Sequence, residues 1–149
     1  MLNLSETEKA YLAGLFDGEG CIGLYNEKKS NYFATYLYVT NTDFRAAKWL
    51  TDRVPYGKIK PRVRYKNKPV WEWLVRKREH VKEILQTLLP YLVIKVDQAS
   101  VLLSYMDEED KSRGNCAKNT QIPPEMVTRR TEISNELKRL KQAPTQTVQ

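Results

Sequence analysis

The stretch Ser5-Glu6-Thr7-Glu8-Lys9-Ala10-Tyr11-Leu12-Ala13-Gly14-Leu15-Phe16-Asp17-Gly18-Glu19-Gly20 reads as one helix with a defined start and stop. Ser5 and Glu8 stand at capping-box spacing, and Gly18-Glu19-Gly20 closes the helix where an apolar strand begins. Ala10, Gly14 and Gly18 fall at i, i+4 and i+8, so they line one helical face. An interior glycine costs about 1 kcal/mol relative to alanine. Gly14 therefore implies a second backbone packed closely against that face. The chain holds no second copy of this segment, so the simplest partner is the same helix of another subunit across a two-fold axis. The expected contact takes in Ala10, Ala13 and Gly14. A C-terminal helix of the same chain is the alternative.

Outward from this helix the pattern changes period. Cys21 to Glu27 and Tyr32 to Thr40 read as strands around a polar hairpin loop at 26–31. The second strand divides cleanly, with Phe33, Thr35, Leu37 and Val39 on one face and Tyr32, Ala34, Tyr36 and Tyr38 on the other. A helix follows from about Asp43 to Arg53, then a turn at Val54-Pro55-Tyr56-Gly57. Strands at about 57–66 and 69–76 precede helices at about 78–89 and 95–109. Pro123-Pro124-Glu125 opens a last amphipathic helix to about Lys141, after a long loop at 110–122. The order predicts an α+β fold with an αββαββα core. Its four-stranded antiparallel, saddle-shaped sheet is covered by helices on one face, with further helices at the C-terminus. Residues 1–141 read as one domain and 142–149 as a disordered tail.

The charge is concentrated on part of this fold. The chain of 149 residues carries a net charge of +7. Residues 19–78 hold fourteen Lys and Arg against five acids, more than the whole excess. Within them Lys58, Lys60, Arg62, Arg64, Lys66 and Lys68 occupy every second position, which in a strand places all six on one face. Like charges that close repel, and phosphates relieve the repulsion, so a nucleic-acid-facing strand is expected rather than a merely soluble edge. Tyr25, Tyr32, Tyr36, Tyr38, Glu72 and Arg76 would share that face, with Lys28 and Lys29 at the hairpin. A cationic, tyrosine-bearing sheet suits a duplex groove. A protein cover over the tyrosines is the alternative.

Asp17 and Glu19 stand at the foot of the first helix. Across a two-fold axis two Glu19 carboxylates would converge inside the basic face. They would oppose phosphate binding unless a divalent cation lay between them. Mg²⁺ suits carboxylate, carbonyl, water and phosphate oxygens, and can activate water while neutralising a leaving 3′ oxygen. Capping or salt bridging by both acids is the plainer alternative.

Composition removes other classes. Apolar residues are 41% and charged residues 29% of the chain, which fits a globular protein. No apolar run reaches membrane-spanning length, and the N-terminus lacks a secretory pattern, so an intracellular, soluble protein is expected. Two cysteines and one histidine, His80, cannot form a four-ligand Cys/His zinc site within one chain.

The residues Leu12-Ala13-Gly14-Leu15-Phe16-Asp17-Gly18-Glu19-Gly20 resemble the LAGLIDADG motif of the homing endonucleases, site-specific DNases usually encoded within introns or inteins. Phe16, Gly18 and Glu19 are variants of that motif. The resemblance spans roughly residues 5–105. It implies a single-motif homodimer that binds a long, roughly palindromic double-stranded DNA target and cuts both strands with Mg²⁺ or Mn²⁺. By resemblance, Glu19 is the metal-binding catalytic acid, the Gly18 carbonyl is a metal ligand, and Asp17 is a helix-terminal interface residue. Asn41 would orient water, although it is one methylene shorter than the glutamine common there. Arg45 matches a basic active-site residue, and Leu89-Pro90-Tyr91-Leu92-Val93-Ile94-Lys95 places Lys95 as the active-site lysine. Two other readings use the same fold: an RNA-binding intron maturase, and a non-catalytic DNA-binding regulator.

Overall fold

A computed structural model describes residues 1–26, 32–64, 68–113 and 122–142, the side chains of Arg64 and Arg113 excepted. The first helix, α1, spans Glu6–Glu19, and its capping box forms: Ser5 Oγ accepts from the Glu8 amide while Glu8 accepts from the Ser5 amide. The helix runs two residues past the expected stop, so Gly20 is its C-cap. Two hairpins follow, β1 (Gly20–Asn26) with β2 (Phe33–Asn41), and β3 (Lys58–Arg64) with β4 (Lys68–Val75). Helix α2 (Phe44–Arg53) connects them. The sheet is antiparallel with the order β1-β2-β4-β3, so the last strands of both hairpins pair at its centre. Helices α3 (Arg78–Leu88), α4 (Val96–Arg113) and α5 (Pro124–Lys141) complete the chain.

One face of the sheet is core. Ile22, Leu24, Leu37, Val39, Trp73 and Val75 are buried together with Leu12, Ala13 and Phe16 of α1 and the apolar stripe of α3. Trp73 is anchored at both ends. Its ring meets Phe16 edge-on, and its Nε1 donates to the Tyr56 carbonyl at 3.1 Å. Gly57 makes this possible: its φ is +94°, and a Cβ there would lie 2.6 Å from Trp73 Nε1. Helix α5 covers the outer edge of β1, with Ser134 Oγ donating to the Leu24 carbonyl at 2.9 Å.

Three expectations are corrected here. Ala13 is fully buried against the sheet, because the inward face of α1 is Leu12, Ala13 and Phe16; of the small residues on this helix Ala10, Gly14 and Gly18 are the exposed ones. Alternation along β3 puts Ile59 and Val63 on the face opposite the cations, where core positions are expected, yet Val63 is 77% exposed, because it lies near the end of this edge strand. Ile59→Ala should therefore lower stability by about 1–3 kcal/mol, while Val63→Ala should change it by less than about 0.5 kcal/mol. Denaturant unfolding of the pair checks this. Helix α4 also outlasts its expected end at 109, because the acidic run Asp107-Glu108-Glu109-Asp110 is neutralised. Lys82 binds Asp107 and Asp110, Arg129 binds Glu108, Arg130 binds Glu109, and Arg78 binds Asp110. The rest of the expected 110–122 loop and the 143–149 tail lie outside the described residues. Among the described residues no helix is long and apolar enough to cross a membrane.

Candidate nucleic-acid interface

The face of the sheet turned away from the core collects the polar and aromatic positions of all four strands. On β2, Tyr36 and Tyr38 stack at 5.8 Å with rings 10° apart, and Tyr25 of β1 meets Tyr36 edge-on at 5.7 Å. Gly23, opposite Tyr36 in register, lets that ring lie across β1, since a Cβ there would stand 2.3 Å from the ring. Burial pushes the Tyr36 hydroxyl above its usual range. Tyr32, just before β2, is exposed. At the other edge Lys58, Lys60 and Arg62 are exposed along β3, and Lys68 begins β4. Lys58, Lys60 and Arg76 line a cavity of about 430 Å³ closed behind by Tyr56 and His80, whose rings stack at 3.8 Å. His80 is thereby a packing residue at the end of the sheet away from Glu19. Lys28, Lys29, Lys66 and the side chain of Arg64 lie outside the described residues.

Two residues on this face depart from the sequence reading. Glu72, grouped with the DNA contacts, is 1% exposed and ion-paired with Arg62 at 2.9 Å, so it does not present a surface. Lys141, the last residue of α5, was missed. Its Nζ reaches the Tyr36 hydroxyl at 3.4 Å and sits 5.5 Å over that ring. It lies in a helix-terminal cluster with Lys138 and Arg139, for which the α5 dipole was a sufficient sequence-level reason.

The foot of α1 lies at one end of this face. Gly20 pairs with Val39, so Glu19 and Asn41 both lie beyond that pair at the same end of the sheet, with Asn41 on the core-side face that it shares with Val39 and Trp71. Glu19 is exposed, and none of the ion pairs formed by the described residues uses it. Asp17 behaves differently. Its carboxylate accepts from the backbone amides of Val93 (2.8 Å), Ile94 (3.2 Å) and Lys95 (2.9 Å), while Lys95 Nζ donates to the Asp17 carbonyl at 2.6 Å. The acid group of Asp17 thus caps the turn before α4 within its own chain. Lys95 is thereby fixed one residue from Gly18 and two from Glu19. Asp17→Ala should lower stability by about 2 kcal/mol, because three amides lose their acceptor. Thermal unfolding checks it, and an unchanged midpoint would contradict it.

Asn41 and Arg45 line a second cleft, of about 510 Å³, with Tyr11, Asp43 and Trp49. Asn41 Oδ1 accepts from the Asp43 amide at 2.8 Å, which leaves its Nδ2 as the outward donor. Arg45 grips the Asp43 carboxylate at 2.6–3.1 Å and holds its pKa down to about 2. Its side chain is otherwise 89% exposed.

Among the described residues nothing covers the outer face of α1: a Cβ at Gly14 or Gly18 would meet none of their atoms within 4 Å, so neither α4 nor α5 packs closely there. Beside it Tyr11 is 52% exposed, and the Asp17-held turn projects Val93 and Ile94 at 79% and 70% exposure. Among the described residues no three of His, Cys, Asp and Glu come together. One chain thus offers Glu19 and the Gly18 carbonyl, two hard oxygen donors of the type Mg²⁺ takes alongside water and phosphate.

The fold is shared with solved DNA endonucleases. The homing endonuclease I-CvuI, crystallised with the I-CreI target, matches with a TM-score of 0.71 at 20% identity, over 96% of this chain and 87% of its own. The archaeal intron-encoded homing endonuclease I-Vdi141I, complexed with DNA, matches with a TM-score of 0.71 at 10% identity, over 97% and 90%. The LAGLIDADG meganuclease I-AabMI, bound to uncleaved DNA, matches with a TM-score of 0.60 at 17% identity, over 95% of this chain but 46% of its own. The chain has the LAGLIDADG homing-endonuclease fold. Neither a protein-family model nor a curated protein matches the sequence.

Proposed function

We propose that this chain, which has the LAGLIDADG fold, is a single-motif homing endonuclease acting as a homodimer. Each subunit would read half of a long, roughly palindromic duplex, and the pair would cut both strands by Mg²⁺- or Mn²⁺-dependent phosphodiester hydrolysis. The observation that carries this reading is the Ala10/Gly14/Gly18 face of α1, left open by the described residues, which ends in the exposed Glu19 at one end of a cationic sheet. Two copies joined through that face bring two basic sheets into one groove with both Glu19 carboxylates at its middle. The match of this chain to about half of I-AabMI fits the same arrangement.

Glu19 and the Gly18 carbonyl would hold the cation, which when bound supplies positive charge at the scissile phosphate and makes water a better nucleophile. The remaining work falls to the chain's own groups. Lys95, fixed by the Asp17 carbonyl, offers a cation to the phosphate oxygens as negative charge develops on them. Asn41 Nδ2 is a neutral donor that could orient the attacking water, and Arg45, anchored by Asp43, adds a cation at the rim. Water adds to phosphorus and gives up a proton to solvent, the bond to the 3′ oxygen breaks, and that oxygen leaves with a proton taken from solvent.

The test is a plasmid carrying the joined flanks of the intervening sequence that encodes this chain. It should be linearised in Mg²⁺ and intact in EDTA. Specific binding without cutting would instead favour the non-catalytic DNA-binding reading.

A further inference from the structure

A carboxylate buried in a phosphate-facing sheet needs a reason. Glu72 lies on central strand β4, opposite Thr40 of β2 and Lys60 of β3, on the face that otherwise carries cations and tyrosines. Its side chain is 2% exposed, its Oε2 takes Arg62 Nε at 2.9 Å, and its Oε1 is buried without a hydrogen-bond partner. A carboxylate placed to soften repulsion along β3 would do so from the surface, at no cost in desolvation. Burial with one oxygen unmet is costly, and it gives something a surface acid cannot: a fixed guanidinium. Arginine offers donors in a rigid planar fork. Paired with Glu72 through Nε, its nearest atom, Arg62 has two terminal nitrogens that can serve another acceptor, and its side chain is 54% exposed. Two parallel donors on a preordered plane match O6 and N7 of guanine in the major groove. A phosphate contact asks for no such orientation.

We propose that Glu72 is a positioning residue for base recognition, holding Arg62 as a guanine reader in each half-site. This rests on the DNA-reading function proposed above. Glu72 touches no base itself. The pair lies on the half of the sheet nearer Asn41 and Glu19, which register fixes through Asn41 opposite Trp71. The guanine it reads should therefore lie in the inner part of each half-site.

The experiment is selection of bound duplexes from a randomised double-stranded library in Ca²⁺, sequenced for wild type, Arg62→Lys, Glu72→Gln and Glu72→Asp. Wild type should enrich guanine at one position per half-site. Arg62→Lys, which keeps the charge and removes the fork, should lose roughly 10-fold in discrimination at that position alone, with its salt dependence unchanged. Glu72→Gln should lose discrimination at the same position and at no other. Glu72→Asp keeps the charge but draws the guanidinium back by one methylene, and should change preference at that position too, which decides the matter if Glu72→Gln does not fold. Glu72 variants with the wild-type profile, or with uniformly weakened binding at every position, would overturn the proposal. A wild-type protein that binds duplex with no sequence preference would instead sink the site-specific function itself.

Discussion

Replacing Glu19 with Gln should abolish double-strand cleavage while leaving duplex binding at wild-type strength or slightly tighter. The side chain is exposed at the foot of α1 and joins none of the ion pairs formed by the described residues, so the fold does not depend on it. The substitution keeps shape and removes a negative charge that faces phosphate, which can only help affinity. It also removes the carboxylate proposed to hold the cation. Metal-assisted charge stabilisation amounts to several kcal/mol in the transition state, and each 1.4 kcal/mol or so is tenfold in rate. A loss of roughly 10³-fold or more is therefore expected. Cleavage by Glu19→Gln at close to the wild-type rate in Mg²⁺ would remove Glu19 from the site.

Gly14→Leu should separate folding from assembly. Nothing among the described residues opposes a side chain at position 14, and leucine is a better helix former than glycine by about 0.8 kcal/mol. The isolated subunit should therefore fold at least as well as wild type. The dimer should not form, because the close approach of two α1 backbones is blocked by a branched side chain on each. Sedimentation should find wild type at about 35 kDa, twice the 17.4 kDa chain, and the variant as monomer or aggregate without cleavage activity. A wild-type protein that remains monomeric at micromolar concentration would contradict the two-fold arrangement.

Local pattern carried the reading of the elements, because period and capping are local. The capping box at Ser5, the alternation from Phe33 to Val39 and the Pro123-Pro124 start each survive to within a residue or two. What was not legible depends on distant partners. Asp17 is spent on amides 76 to 78 residues away, so no window around the motif could have assigned it. Ala13 was grouped with Ala10 by proximity, whereas the sheet takes Leu12, Ala13 and Phe16 and leaves the glycine edge outside. The acids at 107–110 are compensated by cations from α3 and α5, which lie far from them in sequence. Glu72 could be assigned to a face by alternation, but its burial under Arg62 follows only from the side-chain packing. Within the site, Glu19 and Lys95 were legible as residue types at motif positions. The tie of Lys95 to the foot of α1 was not, since it is made by Asp17.

The central claim is that two copies of this chain build one DNA-cleaving groove. Its most direct measurement is sequencing of the ends released from a randomised duplex library incubated with the purified protein in Mg²⁺, against an EDTA control. The account predicts ends confined to one family of sequences, with preferred bases repeated in inverted order at equal distances on either side of the cut. Ends no more frequent than in EDTA, or cuts whose flanking preferences lack that two-fold symmetry, would contradict it.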